Sequence, residues 1–250
     1  MNLELTMSEL KKRILQNSQG KDNYKCPKCK DSGWISYKDK YGHSFCKHCD
    51  CWEIRLAEEL MERSGISQEF NSKGFKNFNT RGIPQLVNAK SKAINYFKTF
   101  KDIENSRNNS IMFYGQIGSG KTHLGVAISR SLMSKNIAVI YMAYRNAITK
   151  IKQILIDSED YYREISKYSQ ARILYIDDFL KGKITESDVN IVYEIINYRY
   201  MNNLPLIIST EKSLDELLTF DEAIGSRIIE MCRGNIIQLQ GKELNYRLYS

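Results

Sequence analysis

Gly115-Gln116-Ile117-Gly118-Ser119-Gly120-Lys121-Thr122 is the stretch that decides the fold. Its eight residues fit G-x-x-x-x-G-K-[ST], the pattern of a phosphate-binding loop. The flanks agree with the pattern. Ser110 to Tyr114 reads as a buried strand, and Leu124, Ile128 and Leu132 recur at helical spacing. A strand, a glycine-rich turn and a helix start together aim several backbone N–H groups at one anion. Glycine at 115, 118 and 120 lets the backbone wrap closely and adopt positive φ. Lys121 is expected to reach the β- and γ-phosphates, and the Thr122 hydroxyl to hold Mg²⁺. The segment from Gly115 to His123 is therefore the expected nucleotide-binding segment, with a nucleoside triphosphate such as ATP as its ligand.

Outward from the loop, apolar strands alternate with helices. A helix carrying Leu86, Ala89, Ala93, Tyr96, Phe97 and Phe100 precedes it, and Ile137 to Met142 follows as a strand run. Ile148, Ile151 and Leu155 mark a helix, and the charged segment Asp157 to Tyr168 comes next. Ile173 to Ile176 is a strand ending in Asp177-Asp178, and Val189 to Tyr200 has helical spacing. Leu206 to Ile208 is a strand ending in Ser209-Thr210-Glu211. Helices then start at Leu214 and Ala223, and Ile236 to Leu239 is a strand. Alternation of this kind implies an α/β fold, a parallel sheet with helices on both faces.

The second half of a phosphate site needs a metal anchor and a water activator. Asp177 is expected to hold Mg²⁺ through water, and Asp178 to orient or deprotonate the attacking water, both beside the loop at the carboxyl edge of the sheet. Ser209, Thr210 and Glu211 are expected on the other side of the γ-phosphate, and spacing does not decide which of them positions water. Arg227, in Gly225-Ser226-Arg227-Ile228, is a candidate charge for a neighbour's γ-phosphate, with Arg199 and Arg233 as secondary candidates.

The N-terminal part has different chemistry. Leu3, Met7, Leu10 and Ile14 outline a short amphipathic helix. Cys26-Pro27-Lys28-Cys29 and Cys46-Lys47-His48-Cys49-Asp50-Cys51 flank a polar stretch of hairpin size. Two close cysteine pairs at that separation match a structural Zn²⁺ site, closed by four thiolates. Cys26 and Cys29 form one pair. The second is Cys46/Cys49 or Cys49/Cys51, with His43 and His48 ranked behind them. From Trp52, the positions Leu56, Leu60 and Met61 outline a helix ending near Gly65. Residues 66–85 are polar and include Phe70, Phe75 and Phe78 among Lys73 and Lys76. Such phenylalanines either pin a linker to the next domain, the favoured reading, or stack on single-stranded bases. The expected division is thus an N-terminal zinc-binding domain at 1–65, a linker at 66–85 and an ATPase domain at 86–250.

The chain of 250 residues is 42% hydrophobic and 26% charged, enough for a real core in a water-soluble fold. Its longest apolar run, Ile137 to Tyr144, is too short to cross a bilayer, so a cytoplasmic protein without a membrane partner is expected. The net charge of +8 suits a nucleic-acid partner.

The cysteine motif followed by Asp31-Ser32-Gly33-Trp34, then Cys49-Asp50-Cys51, the loop, Ile176-Asp177-Asp178-Phe179 and Gly225-Ser226-Arg227 together resemble the DnaC/DnaI-type helicase loaders of bacteria and phages. The resemblance implies an AAA+ domain behind a helicase-binding N-terminal domain. It implies that Lys121 and Thr122 bind nucleotide and Mg²⁺, that Asp177 and Asp178 are the Walker B acids, that Arg227 is the arginine finger, and that Cys49/Cys51 is the second zinc pair. It further implies ATP hydrolysis, a hexameric replicative DNA helicase and single-stranded DNA as partners, and self-association through the ATPase domain. The sensor strand departs from the family, with Ser209-Thr210-Glu211 where many AAA+ proteins carry Asn. Only 23 residues follow Arg227, too few for a lid of several helices of about 11 residues each. A lid-borne second sensor is therefore not expected, and an adjacent subunit is the simplest way to complete the site. The alternative is a transposition-type ATPase resembling IstB, which would bind duplex DNA and a transposase.

Overall fold

A computed structural model describes residues 24–52, 54–56, 59 and 72–249. The helix expected over residues 3–17, the end of the one expected near Gly65, and Phe70 lie outside the described residues. The chain divides into two compact units between Arg55 and Leu56.

In the first unit, β1 (Trp34–Lys38) and β2 (Ser44–His48) form an antiparallel hairpin with Trp34 opposite His48 and Tyr37 opposite Phe45. Asp39 shapes its turn by accepting from the backbone N–H groups of Tyr41 and His43. Trp52, residues 54–56 and Glu59 are helical, the part of the expected helix that is described.

The second unit opens with α1 (Pro84–Ile103), whose proline at the first turn gives up no hydrogen bond. There follow β3 (Ile111–Gly115), α2 (Lys121–Met133), β4 (Val139–Ala143), α3 (Tyr144–Gln153), α4 (Ser158–Ser169), β5 (Ile173–Phe179), α5 (Glu186–Met201), β6 (Leu206–Thr210), α6 (Leu214–Phe220), α7 (Glu222–Met231) and β7 (Ile236–Leu239). A 3₁₀ turn (Lys242–Leu244) and the single turn α8 (Tyr246–Tyr249) come after them. The α4 helix occupies the segment that reads as charged. Asp157 caps it, accepting from the backbone N–H groups of Glu159 and Asp160, and Ile165 and Tyr168 are its buried apolar side.

The strands form one parallel sheet in the order β4-β5-β6-β3-β7. Phe113, Tyr141, Tyr175 and Ile207 on one face join a core with Leu86 and Ala89 of α1 and Leu124 and Ile128 of α2. On the other, Met142 and Ile176 lie with Val192, Ile195 and Ile196 of α5. One expectation of topology is corrected here. β6 lies between the loop strand β3 and the acid strand β5, so Ser209 to Glu211 end between the loop and the acids instead of beyond them. Parallel strands are joined by crossovers, which place no sequence neighbour of necessity beside the strand before it: β3 to β4 passes over two positions, whereas β5 to β6 joins adjacent ones.

Residues 72–83 pack on this unit. Phe78 is buried in its core, Phe75 and Ile83 pack against that core, and Lys90 donates to the Phe78 carbonyl. These phenylalanines anchor the segment, and the buried Phe78 is not a stacking platform for bases.

Candidate functional site

The loop runs from the end of β3 to the start of α2, and its strain is taken by glycines. Gly118 has φ of 72° and Gly120 of 87°, where a side chain would be disfavoured. Lys121 folds back across the loop. Its Nζ donates to the carbonyls of Gly115 at 2.9 Å and Gln116 at 2.6 Å, and burial lowers its pKa. Ser119 closes the turn through Oγ to the Gln116 carbonyl, and Ile117 is exposed on the rim. The His123 ring lies 2.9 Å from the Gly74 carbonyl and edge-on to Phe78, so its side chain ties the preceding segment to the loop helix.

Asp177 is where the predicted residues meet. Thr122 Oγ1 donates to Asp177 Oδ1 at 2.9 Å, Tyr175 Oη donates to the same oxygen at 2.8 Å, and Tyr141 Oη donates to Oδ2 at 3.0 Å. Ser209 Oγ also donates to Oδ1. These hydroxyls replace the water that a buried carboxylate has lost. Asp178 follows at a β-bulge with φ of 54°, so its carboxylate turns out toward solvent while its backbone N–H donates to Ser209 Oγ. Lys181 bridges Asp178 at 2.9 Å and Glu211 at 3.1 Å, and the bond to Asp178 raises the lysine's pKa.

A cleft of about 410 Å³ runs over the loop, and Asp178, Lys181 and Glu211 line it together with Lys121 and Thr122. Of the three sensor candidates, Ser209 supports Asp177 from behind, Thr210 donates to the Phe179 carbonyl, and Glu211 faces the cleft. Sequence reading missed Lys181, Tyr141 and Tyr175. The tyrosines sit inside apolar strand runs and read as core, and Lys181-Gly182 reads as an ordinary turn.

Arg227 is not among the residues lining this cleft. It lies on α7 with its guanidinium 5.4 Å from the ring centres of both Tyr193 and Tyr200, and it donates to the Ala223 carbonyl. Arg199 is wholly buried and donates to the carbonyls of Tyr168, Ser169, Ala171 and Pro205, which removes it as a candidate finger.

In the first unit, Cys26, Cys29, Cys49 and Cys51 bring their sulfurs within 4.8 Å of one another. Cys26 and Cys49 are 3.7 Å apart, and Cys29 and Cys51 are 3.5 Å apart. Tetrahedral Zn–S bonds of about 2.3 Å place sulfurs roughly 3.8 Å apart, so the four thiols fit one Zn²⁺. Cys46 is exposed on β2, outside the cluster. The Cys29 backbone N–H helps bring the Cys26 thiol down to about 7, while burial pushes Cys51 up.

Comparison with known proteins agrees with this geometry. Residues 78–232 match the family model of the bacterial DnaA ATPase domain. The phage-like element PBSX protein XkdC of Bacillus subtilis is 35% identical, over 90% of this chain and 86% of that protein. The replicative helicase loader DnaC of Escherichia coli K12 is 25% identical, over 70% of this chain and 69% of its own. The chain belongs to the bacterial DnaA ATPase-domain family, as an AAA+ protein of the DnaC/DnaI type. The solved structures agree on the fold. The DnaC/DnaI-type core superposes on DnaI with a TM-score of 0.58 at 17% identity, covering 69% of this chain and 94% of that one. On the DnaC helicase loader the score is 0.55 at 19% identity, with 69% and 99% covered. An AMPPCP-bound DnaA from Aquifex aeolicus shares the fold at a TM-score of 0.55 and 20% identity. No helix among the described residues is long and apolar enough to cross a membrane.

Proposed function

We propose that this DnaC/DnaI-type ATPase loads a hexameric replicative DNA helicase onto single-stranded DNA in a cycle driven by ATP. The observation that supports this best is the linkage of Thr122 to Asp177 beneath a phosphate loop, in a chain whose relatives include a named helicase loader. Backbone N–H groups of residues 116–123 and the Lys121 ammonium hold the triphosphate, the lysine leaving the Gly115 and Gln116 carbonyls to do so. Thr122 Oγ1 and Asp177 Oδ1, already paired, are the two oxygens that would hold Mg²⁺, and the ion when bound neutralises charge on the β- and γ-phosphates. Asp178, turned into the cleft by its bulge, accepts a proton from or orients the attacking water, and Glu211 lies within the same Lys181-bridged pair. The Cys26, Cys29, Cys49 and Cys51 thiolates hold a structural Zn²⁺ in an N-terminal domain (1–65) that engages the helicase. Residues 66–85 link it to the ATPase domain at 86–250. Arg227 serves the γ-phosphate of an adjacent copy, as the arginine finger of a self-associated ATPase.

The test is co-purification of the full chain with the replicative helicase of its source cell, followed by transfer of that helicase to circular single-stranded DNA with and without ATP. The wild-type chain is expected to retain the helicase and to load it only with ATP. Lys121→Ala should retain the helicase and fail to load it. No helicase retained under either condition, or capture of a transposase on duplex DNA instead, would remove the loader reading.

A further inference from the structure

The hairpin of the first unit has two faces, and the four clustered thiols belong to neither of its strands. Residues opposite one another in an antiparallel pair share a face. Trp34 and His48 therefore lie on one side, and Ile35, Tyr37, Phe45 and Lys47 on the other. The first side is partnered within the unit: the Trp34 and His48 rings are 3.9 Å apart, and Trp52 lies 4.4 Å from His48 and 6.0 Å from Trp34. The second has no such partner among the described residues. Tyr37 and Phe45 stack on each other at 5.7 Å, with 25° between their planes, yet they are 48% and 45% exposed. Lys47 Nζ stands 6.0 Å from the Tyr37 ring centre. At the turn, Tyr41 is 73% exposed, with Lys40 Nζ 5.0 Å from its ring.

A protein or a nucleic acid could bury such rings, and charge separates the two. Protein interfaces favour aromatic residues but are depleted in lysine. Here Lys38, Lys40 and Lys47 are exposed on the hairpin, and among the described residues none of them is in an ion pair. Asp39, the one carboxylate in residues 34–48, is engaged by the turn: it accepts from the backbone N–H groups of Tyr41 and His43 and lies 3.0 Å from His43 Nδ1. Exposed rings with unpaired lysines beside them suit a phosphodiester chain with unpaired bases, the lysines meeting phosphates and the rings meeting base faces. Duplex DNA hides those faces and offers base edges, which are read by hydrogen bonds.

We propose that the Tyr37–Phe45 face of the hairpin, with Tyr41 at its tip, binds single-stranded nucleic acid, its rings stacking on bases while Lys40 and Lys47 contact phosphates. This goes beyond the loading of a helicase, because it gives the N-terminal unit of this chain its own grip on a strand. It depends on neither ATP nor the phosphate loop.

The test is titration of the full chain, without nucleotide, against fluorescein-labelled oligo-dT and oligo-U over a range of salt, with duplex DNA as control. Tyr37→Leu/Phe45→Leu keeps apolar contact across the strands and removes the stack. It should weaken binding about tenfold or more and leave the salt dependence as in wild type. Tyr37→Phe should bind within about twofold of wild type, because any aromatic ring can stack. Tyr41→Leu, outside the cross-strand pair, should weaken binding about threefold or more even if the pair supports the fold of the hairpin. Lys47→Gln should lower the slope of log K against log salt by about 0.7. Tighter binding of oligo-dT or of oligo-U supports the proposal and names the strand as DNA or RNA. The proposal falls if the double variant and Tyr41→Leu both bind single strands within about twofold of wild type, too little for the loss of a stacked base. Loss of helicase retention in those same variants would then make the face a protein contact. Equal weakening on duplex DNA, or a wild-type chain that binds neither oligonucleotide, would also overturn it.

Discussion

Asp177 is buried under hydroxyls, and the cost of burying it is offset residue by residue. Tyr175 both donates to Asp177 and leans on α2, where a Cβ added at Gly125 would lie 2.5 Å from Tyr175 Cζ and 2.6 Å from its Oη. This sets two effects against each other in Gly125→Ala. Helix propensity alone favours alanine in α2 by about 1 kcal/mol. Overpacking a filled core costs about 1–3 kcal/mol, and an Asp177 left short of a donor costs a further ~1–3 kcal/mol. The collision wins, because Tyr175 is fully buried and has no room to swing aside. Gly125→Ala is expected to destabilise the domain by roughly 1–3 kcal/mol in urea unfolding, with ATP hydrolysis reduced as well. A raised unfolding midpoint would show that Tyr175 is less tightly held than the packing implies. Tyr175→Phe, which keeps the ring and removes the hydroxyl, separates the two contributions.

Among the elements, the cysteine hairpin carries its own prediction. Four thiolates around one Zn²⁺ leave two negative charges, and Lys28 sits nearby, paired with Asp50 between the last two ligands. A module this small folds with its metal. Elemental analysis of protein purified without chelator should find one Zn²⁺ per chain. Cys51→Ser should lower that content sharply, and Cys46→Ser should leave it unchanged, since Cys46 projects from β2 away from the cluster. Equal loss in both variants would mean that the cluster rearranges around the metal. Spacing alone left Cys46/Cys49 and Cys49/Cys51 equally open, because both bring thiols close along the chain. The turn after β2 decides between them, with the Cys49 backbone N–H donating to the Gly33 carbonyl and carrying Cys51 toward Cys29. The phosphate loop and the apolar strands were legible because glycines, Lys121 and runs such as Ile173 to Ile176 are themselves the chemistry. The position of β6 was not, since a crossover leaves no local mark of which edge it joins. The α4 helix was hidden by its charges, because its buried apolar side is only Ile165 and Tyr168. Tyr37 and Phe45 were hidden as a pair, because only the register of the hairpin sets them side by side.

For the molecule as a whole, the decisive question is whether the site is complete in one copy. Arg227 is held by the rings of Tyr193 and Tyr200, on a helix that packs against α5 and α6, and it does not line its own cleft. A guanidinium stacked on two aromatic faces is pre-organised, losing little freedom when it meets a phosphate, and on the proposed reading that phosphate belongs to another copy. An arginine supplied in this way is worth roughly 10³–10⁵ in rate. Arg227→Ala and Lys121→Ala should therefore each be nearly inactive alone, for different reasons: the first keeps an intact loop and the second an intact arginine. In a head-to-tail assembly mixed at equal amounts, random placement makes on the order of a quarter of the interfaces intact. ATP hydrolysis by the mixture should accordingly rise well above that of either variant, with a maximum near equal proportions. Mixtures that co-assemble by size-exclusion chromatography with light scattering and yet recover no activity at any ratio would place Arg227 outside the chemistry, as a surface arginine stacked on Tyr193 and Tyr200.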